Sequence, residues 1–244
     1  MTNLVLRTRA DCPELKRAAM AIEQASWNAL GFLNYTRAHF AFYSALLEEF
    51  PDYQLCLVDE STGYPVAVGN CVPLACDMND LPPEGWDWIV ETASKTEQPR
   101  NTIGALAISV PAVHRAKGYA RLMIQAFQDL SRQKGYAGVI APVRPSAKSK
   151  HPHVPIEDYI NWVDDHGRAY DPWLRSHLSA GGRIIGPCRR SMVVEEPVGF
   201  WETWTDQQFA QAGEYAVKGA LAPVKMDGRI GRYEEPNVWF AYTN

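Results

Sequence analysis

The residues whose types and spacing most clearly suggest chemistry lie in one short turn, from Arg115 to Ala120. Arg115, Lys117 and Gly118 stand between an apolar run and a stretch with apolar residues at helical spacing. Backbone amides at a helix start are unpaired and the helix dipole is positive there, so a phosphate can accept several hydrogen bonds at once. Gly118 and the small Ala120 let a ligand approach the backbone closely. The turn therefore predicts a phosphate-binding site.

The turn has two alternative interpretations. A Rossmann dinucleotide site is disfavoured, because GxGxxG is absent and the turn lies in the middle of the chain. A basic turn that precedes a helix by chance stays open, because a six-residue motif is only as strong as its structural context.

The other residues capable of chemistry show no metal-binding pattern. His151 and His153 lie close together in a polar segment, but two histidines do not form a metal site without a third ligand. The run from Asp164 to His166 is typical of a solvated helix end. The five cysteines are scattered, and no CxxC pair is present. We expect reduced thiols and no metal site.

The composition disfavours several classes of protein. With 244 residues, 46% of them hydrophobic, the chain can bury a full core. The formal net charge of -4 gives no basic field to attract nucleic acid. No apolar run is long enough to span a bilayer, and the first residues lack a signal region. We expect a globular, cytoplasmic protein that contacts no membrane.

A strand and a helix must position the turn, and the hydrophobic pattern predicts both. Residues 103 to 110 form an apolar run, residues 118 to 134 have helical periodicity, and residues 138 to 143 form a second apolar run. Together they predict a βαβ unit with a parallel pair of strands. The other predicted elements are strands at 4–7, 54–59, 65–74, 183–185 and 191–195, helical segments between 11 and 50, and short helices at 86–93, 156–163 and from 172.

The turn resembles the coenzyme A pyrophosphate loop of the GNAT acyltransferases, whose pattern is Q/RxxGxG/A. The order of elements from Leu4 to Glu196 is similar to that of this superfamily. The resemblance implies a mixed α/β fold, with a central twisted mixed sheet, a splayed pair of parallel strands and flanking helices. We expect a GNAT domain over residues 1–200, with an inserted segment at about 144–171, and a β-rich extension at 201–244 packed on the same domain.

The resemblance also implies a co-substrate, acetyl-CoA or another acyl-CoA, and no metal. The pantetheine arm and the acyl group would lie between the splayed strands, bonded to the backbone at Ile108 and Val110. The pyrophosphate would be held by Arg115, Ala116, Lys117, Gly118, Tyr119 and Ala120.

Amine attack on a thioester needs a base for the amine proton and an acid for the leaving thiolate. In many members of the superfamily the acid is a tyrosine, and its position falls here on His177. In those members an aromatic residue follows the next glycine in the chain, but here that position is Gly182. The alignment could therefore be off by one helical turn, and Tyr170 and Ser176 stay open as alternatives. Glu91 is a candidate base, and a structural role for His177 also stays open.

The resemblance places the acceptor site between two aromatic segments. The helical region would contribute Trp27, Phe32, Tyr35 and His39, and the inserted segment would cover the site with Tyr159, Trp162, Tyr170 and Trp173. Core packing explains these residues equally well. An aromatic-lined pocket suits a sizeable or planar small molecule.

Three functions fit the sequence. The first, which we predict, is transfer of an acetyl or other acyl group from a coenzyme A thioester to an amine of a small molecule by direct attack. The second keeps the fold but uses a carrier-protein or aminoacyl-tRNA donor, or decarboxylates a malonyl thioester. The third is a sensor that binds acyl-CoA without turnover. Apart from a tRNA donor, nucleic acid is not expected as a partner, and a homodimer stays open.

Overall fold

The computed structural model describes residues 3–244, which form one mixed sheet of nine strands. The spatial order is β1-β2-β3-β4-β5-β9-β8-β7, with β6 paired to β9. Only β4 and β5 are parallel neighbours among these described strands. The strands are β1 (Leu4–Thr8), β2 (Gln54–Asp59), β3 (Tyr64–Leu74), β4 (Thr102–Ser109), β5 (Gly138–Val143), β6 (Arg183–Pro197), β7 (Gly213–Tyr215), β8 (Val224–Met226) and β9 (Ile230–Thr243).

Helices cover both faces of the sheet. Alternate residues of a strand point to opposite faces. Val68 of β3 packs with the first helix, whereas a Cβ on the adjacent Gly69 would meet Met123 and Phe127 of the fourth. The helices are α1 (Lys16–Trp27), α2 (Ser44–Glu49), α3 (Trp86–Lys95), α4 (Tyr119–Gln133), α5 (Ile156–Tyr159), α6 (Pro172–Ser179) and α7 (Val198–Thr205). The first three and α7 lie on one face, and α4, α5 and α6 lie on the other. The predicted fold class is confirmed.

The parallel strands β4 and β5 separate along their length, as the resemblance implied. They pair only from Thr102 to Gly104, opposite Gly138 to Ile140. Both strands continue beyond this point, and β4 bulges there: Ala105 and Ala107 pair with consecutive residues of β3, which leaves Leu106 as the extra residue. A gap therefore opens in the sheet beside the second half of β4.

The last strand occupies the interior of the sheet. The second half of β9 pairs with β5 on one side and with β6 on the other, and its first half lies between β6 and β8. The sequence had predicted two strands at 183–185 and 191–195, but β6 runs continuously across two bulges. Residues 201–244 therefore complete the sheet that the preceding residues begin.

The segment between β5 and α6 is anchored by one buried carboxylate. Asp171 accepts hydrogen bonds from the amides of Ser146 and Ala147 and from the hydroxyl of Tyr159, at 2.7 to 3.1 Å. It also caps α6 by accepting from the Trp173 amide, with proline following as the first helical residue. These bonds fix the start of α6, which carries His177.

Residues 3–244 contain neither a membrane-spanning helix nor a cluster of metal-binding side chains. No helix there is both long and apolar enough to cross a membrane. No group of three or more His, Cys, Asp or Glu side chains in that range lies close enough together to hold a metal ion.

Candidate functional site

The predicted phosphate turn lies between β4 and α4 and has the backbone of an anion-binding nest. Ala116 and Gly118 both have left-handed conformations, with φ of 61° and 81°. Within the described chain, the backbone hydrogen bonds around this turn are donated by the amides of four residues, His114, Arg115, Arg121 and Leu122. The amides from 116 to 120 are therefore left for a ligand, at the positive end of a fifteen-residue helix.

A pocket of about 390 Å³ opens over this turn, and we call it the loop pocket. Most of the residues predicted to bind the pyrophosphate line it, and α6 closes its other side. Its lining includes Val110, Arg115, Ala116, Gly118, Tyr119, Ala120, Trp173 and Ser176. Lys117 is exposed beside the pocket, and its ammonium lies 3.4 Å from Nδ1 of His114.

A larger cavity of about 980 Å³ occupies the gap between β4 and β5, and we call it the main cavity. Backbone and side chains of β4 from Ala105 to Ile108 form one wall, and Ala141 to Val143 of β5 form the opposite wall. Phe127 and His177 contribute from one face of the sheet, whereas Trp27 contributes from the other. The cavity is therefore bordered by residues from both faces.

Two tryptophans fix the wall of the main cavity next to β4. The indole N–H of Trp86 donates to the carbonyl of the bulged Leu106, at 3.0 Å. The indole N–H of Trp27 donates to Oγ of Ser109, at 2.9 Å. Each bond satisfies a polar group that would otherwise be left without a partner, so both rings are held in defined positions.

His177 lies in the main cavity but is largely buried. Its Nδ1 is 2.6 Å from the hydroxyl of Tyr242, and its Nε2 is buried without a partner in the described structure. Trp173 and Phe240 pack around the ring. Burial lowers the pKa of His177 to about 3, so the imidazole is neutral at pH 7. A neutral ring can donate a hydrogen bond from Nε2, but it holds no imidazolium proton to give away.

This buried histidine predicts a pH effect on stability. Because its pKa is about 3 in the folded chain and about 6.5 when unfolded, the unfolded chain binds the extra proton between these values. The stability that neutral His177 supports is present above pH 6.5 and is lost as the pH falls towards 3. On going from pH 7 to pH 4, the free energy of unfolding of His177→Gln is expected to fall by up to about 3 kcal/mol less than that of the wild type. Urea unfolding at several pH values measures this difference.

Asp87 acts in the opposite direction in that pH range. Burial raises its pKa to about 6, so its protonation in acid relieves the cost of a buried charge. The difference between wild type and His177→Gln cancels this contribution, because both chains contain Asp87. If the free energies of unfolding of the wild type and of His177→Gln changed by the same amount with pH, the assignment to His177 would be contradicted.

The other candidate catalytic residues lie elsewhere. Ser176 is half-buried beside the loop pocket, and its hydroxyl donates to the Pro172 carbonyl at 3.0 Å. The Tyr170 hydroxyl is 3.4 Å from Nε2 of His151, outside both linings. Glu91 pairs with Lys95 on α3, also outside the main cavity. The structure therefore brings together His177 and the splayed strands, but not Tyr170 or Glu91.

Only part of the predicted aromatic lining surrounds the main cavity. Trp27 and His39 line it, and so does Trp173. Phe32 is fully buried against Trp201, whereas Tyr35 is exposed. In the inserted segment, the remaining aromatic residues pack on one another around His151 and do not cover the cavity; they are Tyr159, Trp162 and Tyr170.

A buried ion pair at the cavity edge was not predicted from sequence. Glu235 of β9 is fully buried, and its two oxygens accept hydrogen bonds from Arg144 and from the Tyr233 hydroxyl. Beside it, the Asn237 amide donates to Ser191 Oγ at 2.8 Å, and its carbonyl oxygen is buried without a described partner. The pairing of β5 with β9 brings these residues to the cavity edge. The spacing of residues in the sequence does not indicate this pairing.

The fold and this geometry can be compared with known proteins. The chain is 36% identical over 222 residues to the arginine N-acetyltransferase avaD of Aspergillus versicolor. The alignment covers 79% of this chain and 77% of that protein. The chain belongs to the GNAT superfamily of N-acyltransferases. It is thus an acyl-CoA-dependent enzyme that acylates an amine, as predicted from the Arg115 to Ala120 turn.

Solved structures share this fold over nearly the whole chain. One is the loading GNATL domain of CurA from Lyngbya majuscula, with a TM-score of 0.59 and 16% identity, covering 99% of this chain and 98% of that one. Another is the GphF GNAT-like decarboxylase in complex with isobutyryl-CoA, with a TM-score of 0.55 and 18% identity, covering 98% of both chains. At these identities the similarity concerns the fold alone. No protein-family model matches the chain.

Proposed function

We propose that this N-acyltransferase moves an acetyl group from acetyl-CoA to the amine of arginine or of a similar small cationic molecule. The observation that carries the proposal is the main cavity, which joins the gap beside β4 to a charged surface of α1. The relative named an arginine N-acetyltransferase supports this choice of acceptor.

The donor would extend from the loop pocket into the main cavity. Its pyrophosphate would accept hydrogen bonds from the free amides between 116 and 120, with Arg115 and Lys117 supplying positive charge. The pantetheine arm would follow β4 past Val110 and Ile108, where β5 no longer occupies the backbone groups of β4. The thioester would then lie near the bulge at Leu106.

The acceptor would enter along α1 and the residues just before it. This border of the main cavity carries both signs of charge. Glu23 and Lys16 already form ion pairs within the protein, whereas Glu14 and Arg17 form none with the described residues. Arginine also carries both signs, a carboxylate together with an ammonium and a guanidinium. Each charge of the acceptor could therefore lie near an opposite charge of the protein, which favours this ligand over a neutral amine.

We propose that His177 stabilises the departing sulfur by a hydrogen bond from Nε2. This role needs the neutral ring with its proton on Nε2, which would follow if Tyr242 donates its hydroxyl proton to Nδ1. Ser176 would lie near the phosphates rather than the thioester. The Tyr170 hydroxyl faces His151 and is a weaker candidate for the same step.

The acceptor proposal is tested by measuring coenzyme A release from acetyl-CoA with arginine and with citrulline. The two molecules differ little in shape, but citrulline lacks the positive side chain. We expect arginine to be acetylated at least about tenfold more efficiently, because roughly 1.4 kcal/mol of charge recognition suffices for that ratio.

Two results would contradict the proposed function. Equal rates with arginine and citrulline would remove side-chain charge as the basis of acceptor choice. Absence of coenzyme A release with every amine, together with transfer from an acylated carrier protein or an aminoacyl-tRNA, would replace the donor.

A further inference from the structure

We propose that His39 is the general base that takes a proton from the acceptor amine, an inference that rests on the proposed function. His39 begins a single π-helical turn (His39–Tyr43) that leads into α2, and its side chain lines the main cavity. An alkyl amine is protonated at pH 7 and cannot attack a thioester until that proton is removed.

Contacts between rings place His39 close to the proposed thioester position. The imidazole stacks on the indole of Trp86, with centroids 5.8 Å apart and planes 22° from parallel. The same indole bonds to the carbonyl of Leu106, the bulged residue where β4 has left β5. One aromatic side chain therefore separates His39 from the backbone beside which the acyl group would lie.

One ring nitrogen of His39 is available as a proton acceptor. A neutral imidazole carries its proton on only one of its two nitrogens. In the neutral ring the remaining nitrogen then has a free lone pair, which is the form that a base requires.

The surroundings favour this neutral form. Burial lowers the pKa of His39, and the backbone of Asn34 offsets this only in part. Tyr43 stacks beside the ring, with centroids 4.9 Å apart. The nearby charged groups belong to other elements: Arg9 and Glu23 close to Tyr43, and Asp87, Glu91 and Lys95 on α3.

The two deepest carboxylates of the main cavity are already engaged. Glu23 is held by Arg9, and Glu235 by Arg144 and Tyr233. Protonating either one would break an ion pair that is wholly or partly buried, which is costly. Two neutral histidines line the cavity. His177 is proposed to face the departing sulfur, so His39 is the one that can take the amine proton without such a loss.

The proposed step balances in protons and electrons. His39 takes one proton from the ammonium, and the nitrogen lone pair then forms a bond to the thioester carbon. The carbon–sulfur bond breaks with its electron pair on sulfur, and the second proton of the nitrogen passes to that thiolate. His39 returns its proton to solvent, which leaves an amide, coenzyme A and one released proton.

The test compares His39→Phe with the wild type, using two acceptors of different basicity. Phenylalanine keeps a ring against Trp86 but cannot accept a proton. With arginine at pH 7 we expect kcat to fall by roughly 100-fold to 10,000-fold, the usual contribution of a general base. With a weakly basic amine that is unprotonated at pH 7, such as an arylamine or a hydrazide, we expect a loss of less than about fivefold.

His39→Asn and His153→Phe complete the design. His39→Asn should reproduce the acceptor-dependent loss without the larger side chain, and raising the pH should restore its activity as free amine accumulates. His153 is exposed and lies outside the main cavity, so His153→Phe should match the wild type with both acceptors.

Two results would overturn the role of His39. One is wild-type kcat in both His39 variants, and the other is an equal loss with both acceptors at every pH. In either case wild-type turnover would leave the proposed function standing. If the wild type itself released no coenzyme A with any amine, both proposals would fail together.

Discussion

Replacing Gly118 by aspartate is expected to weaken the binding of coenzyme A by roughly 100-fold or more. Gly118 precedes α4 with a φ of 81°, and a Cβ there would point into open space above the turn. An aspartate carboxylate in that space would repel the pyrophosphate and compete for the amides of the nest. Loss of about 3 kcal/mol corresponds to one or two charge-assisted hydrogen bonds. Calorimetric titration with coenzyme A measures the change.

Gly63 supplies a matched control for this substitution. It lies in the turn between β2 and β3 with a φ of 70°, and nothing lies within 4 Å of a Cβ there. Gly63→Asp therefore adds the same side chain with a similar backbone strain of about 1 kcal/mol, outside the linings of both pockets. Comparable affinity for coenzyme A in the two variants would remove the turn as the phosphate site.

Arg144→Met is expected to lower the free energy of unfolding by about 3 to 5 kcal/mol, the largest stability effect among these substitutions. It would leave the carboxylate of Glu235 fully buried without its counter-charge. The bond from Arg144 to the Gly219 carbonyl would be lost as well. Urea unfolding at pH 7, followed by circular dichroism, measures the change.

Arg189 offers the comparison at the surface. Arg189 pairs with Glu157, and the Arg189 side chain is 65% exposed. Arg189→Met should therefore change the free energy of unfolding by less than about 1 kcal/mol. Adding Glu235→Met to Arg144→Met should recover part of the loss, because no charge is then buried alone. Equal effects of Arg144→Met and Arg189→Met would contradict the buried-charge explanation.

The parts of the site that are local in sequence could be predicted. A strand, a basic glycine turn and a helix follow one another directly, so the hydrophobic period and the residues from Arg115 to Ala120 contain nearly all the information that shapes the turn. The same locality predicted the strands β2 and β3 and the parallel pair around α4.

The chemistry of the main cavity could not be predicted in the same way. Burial lowers the pKa of His177, and one of the rings that bury it is Phe240, more than sixty residues later in the chain. Trp86 connects His39 to β4, beside the proposed position of the thioester. Burial and proton affinity are properties of such distant contacts, which a residue's own neighbours in sequence do not reveal.

The interior position of β9 has a consequence for how the molecule forms. Its partners β5 and β6 are synthesised before it, and β5 meets it across about a hundred residues of intervening chain. Until β9 arrives, both partners have unpaired edges that can pair with the edges of other chains. Such long-range pairing makes folding slow. The gap beside β4 can therefore assume its final shape only late in folding.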